Sequence, residues 1–130
     1  MGFSAGGHPA STAATRFSSG KVDDEDLIQR VSCRPDFTVL GYLVISLIED
    51  FTHKGSRRNL LGDDASEELA NRLSNEKQVT SETPPTFIFH TGEDPGVLVE
   101  NALAFYEALR AAQVPGELHI YPNGPHGMGL

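Results

Sequence analysis

Three residues of this sequence have the types and setting that acyl-transfer chemistry needs: Ser4, Asp94 and His126. Ser4 stands in Gly2-Phe3-Ser4-Ala5-Gly6, the pattern Gly-x-Ser-x-Gly. A serine hydroxyl is a poor nucleophile until it is lifted clear of the fold beside a base. A sharp strand-to-helix turn does the lifting, and small residues two positions to either side let that turn close without Cβ clashes. The backbone N–H of Ala5, with the positive end of a helix starting there, would then face the oxyanion of a tetrahedral intermediate. His126 would take the Ser4 proton as general base and return it to the leaving alcohol as general acid. Asp94 would hold the imidazole tautomer and stabilise the imidazolium.

The elements that must position these groups follow from the pattern of apolar residues. After the elbow, residues 10–17 are rich in Ala and Thr and continue a helix, provided that Pro9 lies in its first turn. Residues 18–35 are polar and acidic, a loop with one short helical turn near 25–30 and a solvated charge run at 23–26. Residues 38–47 carry β-branched and aromatic side chains without alternation, and the apolar stretch 39–48 reads as a buried strand covered on both faces. Residues 48–62 read as an irregular connection, and 64–73 as a short helix with acids in its first turn and Arg72 in its last. Residues 86–90 form a second apolar strand, leading into the turn that holds Asp94. Val99, Ala102, Leu103, Tyr106 and Leu109 mark one face of a helix within 97–113, stopped by Pro115-Gly116. Residues 117–121 alternate and read as a strand, and His126 follows in a glycine-rich loop. This order of strands and helices specifies an α/β fold with a short parallel sheet flanked by helices in three layers. Loops at the carboxyl ends of parallel strands gather on one side, so Asp94 and His126 are expected on the edge that also presents Ser4.

Composition narrows the partners. The 130 residues carry 10 Lys and Arg against 18 Asp and Glu, a formal charge of -8, which argues against nucleic acid and anionic membranes. The longest apolar run is too short to span a bilayer, and the N-terminus has no signal-peptide pattern, which leaves the compartment open with the cytoplasm as default. Cys33 is the single cysteine, so no internal disulfide or thiolate cluster forms, and it reads as a small buried residue or a bystander. No pair among the five histidines has metal-ligand spacing with a carboxylate alongside, so neither metal nor cofactor is expected. His90 and His119 read as core or face histidines within strands.

From end to end the sequence resembles the C-terminal half of an α/β-hydrolase of the carboxylesterase and acetyl-xylan-esterase-like group. The resemblance rests on the GFSAGGH elbow, a strand ending near Ser46, the Gly55-to-Gly62 segment, the HT-x-x-D turn from His90 to Asp94, the ENALAFYEAL helix, and the HG-x-GL ending from His126 to Leu130. It implies that residues 1–130 correspond to the stretch of that domain from elbow to catalytic histidine, with Ser4 as nucleophile, Asp94 as acid, His126 as base and Ala5 as one oxyanion donor. The implied activity is cleavage of short-chain carboxylic esters through an acyl-enzyme. A peptidase of the prolyl-oligopeptidase type shares the triad order. Pro9 departs from the family's usual leucine and Leu98 from its frequent proline. The family's strands ahead of the elbow and its His-Gly-Gly oxyanion loop have no counterpart in these residues. That absence motivates a second expectation, a catalytically poor fragment, and the strand around Tyr42 is then expected to present a bare edge and partly covered apolar faces, giving a homo-oligomer.

Overall fold

The computed structural model describes residues 1–128; Gly129 and Leu130, the last two residues of the HG-x-GL ending, lie outside them. Four strands, β1 (Gly2–Phe3), β2 (Thr38–Gly41), β3 (Thr86–Thr91) and β4 (Gly116–Tyr121), pair in the order β1-β2-β3-β4, all parallel. Four helices, α1 (Gly7–Thr15), α2 (Lys54–Leu61), α3 (Glu67–Leu73) and α4 (Glu100–Ala111), connect them. The expected α/β class and the parallel sheet flanked by helices are what is observed.

Register and strand periodicity divide the sheet into two faces. Gly2, Leu40, Ile88 and Leu118 align on one of them. Leu40 and Ile88 are fully buried there with Ala102, Phe105 and Leu109 of α4, and Ala10 of α1 packs alongside. A second cluster joins Val44, Leu47, Ala70 and Val97, with Leu61 of α2 and Leu73 of α3 against it. Phe3, Val39, Phe87 and Phe89 align on the opposite face and are only half-buried. A groove of about 520 Å³ runs along that face, and no residue of α1–α4 lines it. Among the described residues the helices therefore supply one layer, over the Leu40 and Ile88 face.

The expected strand over 38–47 is cut short. Only Thr38–Gly41 pair in the sheet. Tyr42 turns into the left-handed region at φ 36°, and the apolar run beyond it leaves the sheet while staying buried. Burial without a ladder obliges each backbone N–H to find another partner. Val44 N–H donates to Ser4 O at 3.0 Å, Ile45 and Ser46 N–H donate to Asn101 Oδ1 at 3.0 and 3.1 Å, and Leu47 N–H donates to Ser74 Oγ at 2.9 Å. Apolar composition correctly marked this stretch as core but cannot distinguish a ladder from side-chain partners. β2 is also internal, flanked by β1 and β3, so the bare edge expected beside Tyr42 is not there; β1 is the outer strand on that side.

The connection read as irregular over 48–62 contains α2. Its N-cap is His53, whose Nδ1 accepts Ser56 N–H at 3.2 Å, a cap outside the Ser, Thr, Asp and Asn set that signals a helix start. α3 begins three residues later than the composition suggested, after Ser66, whose Oγ accepts Leu69 N–H. Cys33 is exposed rather than buried, and its sulfur accepts Ser18 N–H.

The junction of β1 with α1 has the form expected for presenting Ser4. Ser4 adopts φ 50°, a conformation that costs a non-glycine residue of order 1 kcal/mol and persists only where its surroundings over-determine it. A 3₁₀ turn, Ser4–Gly6, runs directly into α1, and Pro9 sits in the first helical turn, where its missing N–H leaves no bond unmade. The glycines do not share the work as the pattern implied. A Cβ on Gly2 would meet Gly6 O at 2.4 Å and Ala10 Cβ at 2.6 Å, and one on Gly7 would meet Leu43 Cβ at 2.7 Å, whereas one on Gly6 would meet nothing within 4 Å. The close approaches are at Gly2 and Gly7. Gly2→Ala is expected to lower the urea midpoint by the equivalent of about 2 kcal/mol, as overpacking does, while Gly6→Ala stays within about 0.5 kcal/mol of the parent; equal losses in both would contradict this assignment.

Candidate active site

The sheet edge where β1, β3 and β4 end brings Ser4, Asp94 and His126 together. His126 Nε2 lies 2.7 Å from Ser4 Oγ, and His126 Nδ1 lies 2.7 Å from Asp94 Oδ2. An ionised carboxylate can only accept, so Nδ1 carries a proton, and in the neutral ring the lone pair of Nε2 then faces the serine hydroxyl. Asp94 has a fully buried side chain, while that of His126 is 31% exposed. The imidazole is thus open to solvent while its carboxylate partner is sealed from water.

Asp94 is anchored by backbone as well. Its Oδ1 accepts Gly96 N–H at 2.8 Å and Val97 N–H at 3.0 Å, the local turn chemistry that an aspartate ahead of Pro95-Gly96 favours. Burial pushes its carboxyl up, but the Val97 N–H, His126 and the Gly96 N–H together outweigh burial and hold it below the ordinary 3.8. The group is a carboxylate at neutral pH.

Ala5 follows Ser4 within the 3₁₀ turn, exposed at the head of α1. It also opens a second groove, about 490 Å³, bounded by Val44, Leu47, Leu60 and Leu73. On the opposite side, the Tyr42 ring stands edge-on to His126 with centroids 5.1 Å apart, and it packs with Phe3 and Phe89 over the open face. The sequence pattern marks Tyr42 only as a strand residue; its contact with the imidazole depends on the left-handed turn that ends β2, for which apolar periodicity carries no signal. His90 is buried as expected, but its surroundings add a contact that the strand pattern did not announce: Nε2 lies 2.9 Å from Val97 O and 3.3 Å from Asp94 Oδ2. His119 lies on the open face, paired with Glu117 and tilted against Phe87. Among the described residues no cluster of three or more His, Cys, Asp or Glu is arranged to hold a metal ion.

A strained serine next to an imidazole nitrogen, backed by a buried carboxylate, has the arrangement that can move a proton from hydroxyl to imidazole as the oxygen attacks an electrophilic carbon.

Comparison with known proteins identifies the family and the fold. A family model described as BD-FAE matches residues 1–109. The chain is 41% identical over 128 residues to endo-1,4-beta-xylanase B of Butyrivibrio fibrisolvens, covering 98% of this chain and 20% of that protein. It is 37% identical over 134 residues to an acetylxylan esterase of Xylanibacter ruminicola, covering 100% of this chain and 25% of that one. Among solved structures, the acetyl ester-xyloside bifunctional hydrolase from Caldicellulosiruptor lactoaceticus superposes with a TM-score of 0.94 at 53% identity, over 99% of this chain and 47% of its own. A carboxylesterase from Lactobacillus plantarum gives a TM-score of 0.72 at 30% identity, over 97% and 44%. The chain therefore spans about half the length of these solved structures and a quarter or less of the two sequence relatives. With the family model covering most of its length and the sheet order and elbow in agreement, the chain belongs to the BD-FAE family and has an α/β-hydrolase fold.

Proposed function

We propose that this chain is a serine esterase that hydrolyses short-chain carboxylic esters, with Ser4 as nucleophile, His126 as general base and acid, and Asp94 as the group orienting His126. The observation that carries the reading is the continuous hydrogen-bonded path Ser4 Oγ, His126 Nε2, His126 Nδ1, Asp94 Oδ2, with 2.7 Å at each contact between residues. Ser4 Oγ attacks the ester carbonyl carbon as its proton passes to His126 Nε2, and the carbonyl oxygen becomes an oxyanion facing the Ala5 N–H. Collapse breaks the bond to the alcohol oxygen, which leaves with the proton from His126, and the acyl group stays on Ser4. Water, deprotonated by the same nitrogen, then attacks the acyl carbon and releases the acid with Ser4 restored. Relatives named for acetylxylan and acetyl ester cleavage favour acetyl as the acyl group.

A second reading, self-association, is favoured by the half-exposed Phe3, Val39, Phe87 and Phe89 along the 520 Å³ groove. A second copy of this chain is the occupant proposed, since exposed apolar faces of this kind favour association. Sedimentation of the 130-residue chain is expected to show a dimer or larger species that Phe87→Glu returns to monomer; a parent chain monomeric at micromolar concentration would sink this reading.

Ser4→Ala is expected to lower p-nitrophenyl acetate turnover by at least about 10³-fold without altering the fold, and a fluorophosphonate probe is expected to label the parent chain at Ser4 alone. A parent chain that hydrolyses the ester while Ser4 stays unlabelled would rule out this mechanism.

The buried imidazoles set the pH window. Burial holds His8 below the ordinary 6.5, with Arg16 adding to it against the Leu73 carbonyl. Burial likewise lowers His90, against the Val97 carbonyl and the Asp94 carboxylate. As pH falls below 6.5 the unfolded chain takes up protons that the folded chain refuses, so stability is present above that value and declines beneath it. Asp94 works in the same direction at lower pH: its contribution is present above 3.8 and is lost as pH falls through its depressed folded value. Glu76, whose carboxyl burial pushes up, works in the opposite sense as pH rises, so His8 is tested by difference: the urea midpoint of the parent is expected to exceed that of His8→Gln by more at pH 7.5 than at pH 5.5, and an equal difference at both would refute the assignment.

A further inference from the structure

We propose that His90 is a positioning residue for the Asp94–His126 pair, its Nε2–H donating to Val97 O while the same nitrogen rests 3.3 Å from Asp94 Oδ2, so that the carboxylate is fixed in the rotamer that receives His126. The inference rests on the reading of Asp94 and His126 as the orienting acid and the base. His90 lies on β3, one residue before the strand ends, with its side chain fully buried. Nε2 is 2.9 Å from Val97 O and 3.3 Å from Asp94 Oδ2. Both partners are acceptors, so the proton belongs to Nε2. Val97 closes the arrangement, because its own N–H donates to Asp94 Oδ1 at 3.0 Å. His90, Val97 and Asp94 thus form a ring of contacts in which neither carboxylate oxygen can rotate away without losing a partner.

The other ring nitrogen argues that this is more than packing. His90 Nδ1 is buried with no hydrogen-bond partner. An unsatisfied buried acceptor destabilises the fold, a penalty that an apolar side chain at this position would avoid. What an apolar side chain would not provide is the Nε2–H. The same oxygen, Asp94 Oδ2, serves both His90 and His126. A positive His90 would compete with the imidazolium that forms at His126, so the device requires a neutral ring, and burial in this site supplies one. The titratable groups facing Asp94 are His90 from β3 and His126 from the C-terminal loop. Those facing His90 are Asp94 and His126.

Two substitutions separate the roles of the two ring nitrogens. The Gln side chain carries its amide nitrogen to the reach of Nε2, and Asn carries its own to the reach of Nδ1. In His90→Asn the Asp94 carboxyl, followed by carbon-detected NMR, is expected to titrate at higher pH than in the parent, and kcat for p-nitrophenyl acetate is expected to fall about tenfold at unchanged KM. In His90→Gln both properties are expected to return toward the parent. Nitrogen NMR of the parent, which needs no variant to fold, is expected to show His90 protonated on Nε2 and bare on Nδ1. Equal behaviour of the two variants, an unmoved Asp94 titration in His90→Asn, or an Nδ1–H tautomer in the parent would each overturn the proposal. Because the NMR readings need no turnover, a chain without esterase activity would count against the proposed function while leaving this inference to be decided by titration and tautomer.

Discussion

The whole arrangement depends on how the buried segment after β2 satisfies its backbone. Residues 43–47 are too apolar to sit in water and have left the ladder that would have paired them, so their N–H groups need acceptors from elsewhere. One of those acceptors is Ser4 O, which takes Val44 N–H at 3.0 Å, while Leu43 packs where Gly7 leaves room for it. The strained Ser4 conformation is therefore held from outside the turn, by a segment forty residues away. That segment is held in turn by Asn101, fully buried, whose Oδ1 accepts Ile45 and Ser46 N–H and whose Nδ2 donates to Phe51 O and Leu98 O at 3.1 Å each. The elbow, the loop after β2 and the head of α4 form one polar circuit inside an apolar core, in which each member satisfies another's buried groups.

Much of the fold was legible because its signals are local. The face of α4 follows from Ala102 and Leu109, now buried with Phe105 against Ile88, and the strand Thr86–Thr91 follows from a short β-branched and aromatic run closed by a turn. The three residues of the candidate site were legible for a topological reason: each follows a strand of a parallel sheet, and such loops share an edge. What could not be read depended on partners distant in sequence. Ending β2 at Gly41 required Asn101 and Ser74 to take over the backbone of residues 45–47. α2 was hidden because its cap is a histidine and its body contains Gly55 and Asn59, residues with weak helix preference. The role of Gly6 was overestimated because the Gly-x-Ser-x-Gly pattern does not say which glycine is crowded; here Gly7 abuts Leu43 and Gly6 faces open space.

The electrostatic design separates two demands that usually conflict. A carboxylate supports an imidazolium best when it is dry, and drying a carboxylate is costly unless its oxygens are bonded. Asp94 meets both conditions through the Gly96 and Val97 amides on one oxygen and imidazole on the other. The penalty is moved onto His90, which keeps a bare nitrogen in the interior, and onto the acid side of the stability curve.

The contact between Ser4 and His126 joins positions 122 residues apart. Closing so long a loop costs more chain entropy than any other contact of the site, and the imidazole end of that contact is 31% exposed whereas Ile88 of β3 is fully buried. Excursions in which the two ends part can thus occur while Leu40, Ile88 and Phe105 remain packed, since local opening draws on the least buried regions first. Parting of Ser4 from His126 and melting of the core are consequently separable events in this architecture, and resistance to heat measured by loss of the core reports on Leu40, Ile88 and Phe105 rather than on that contact.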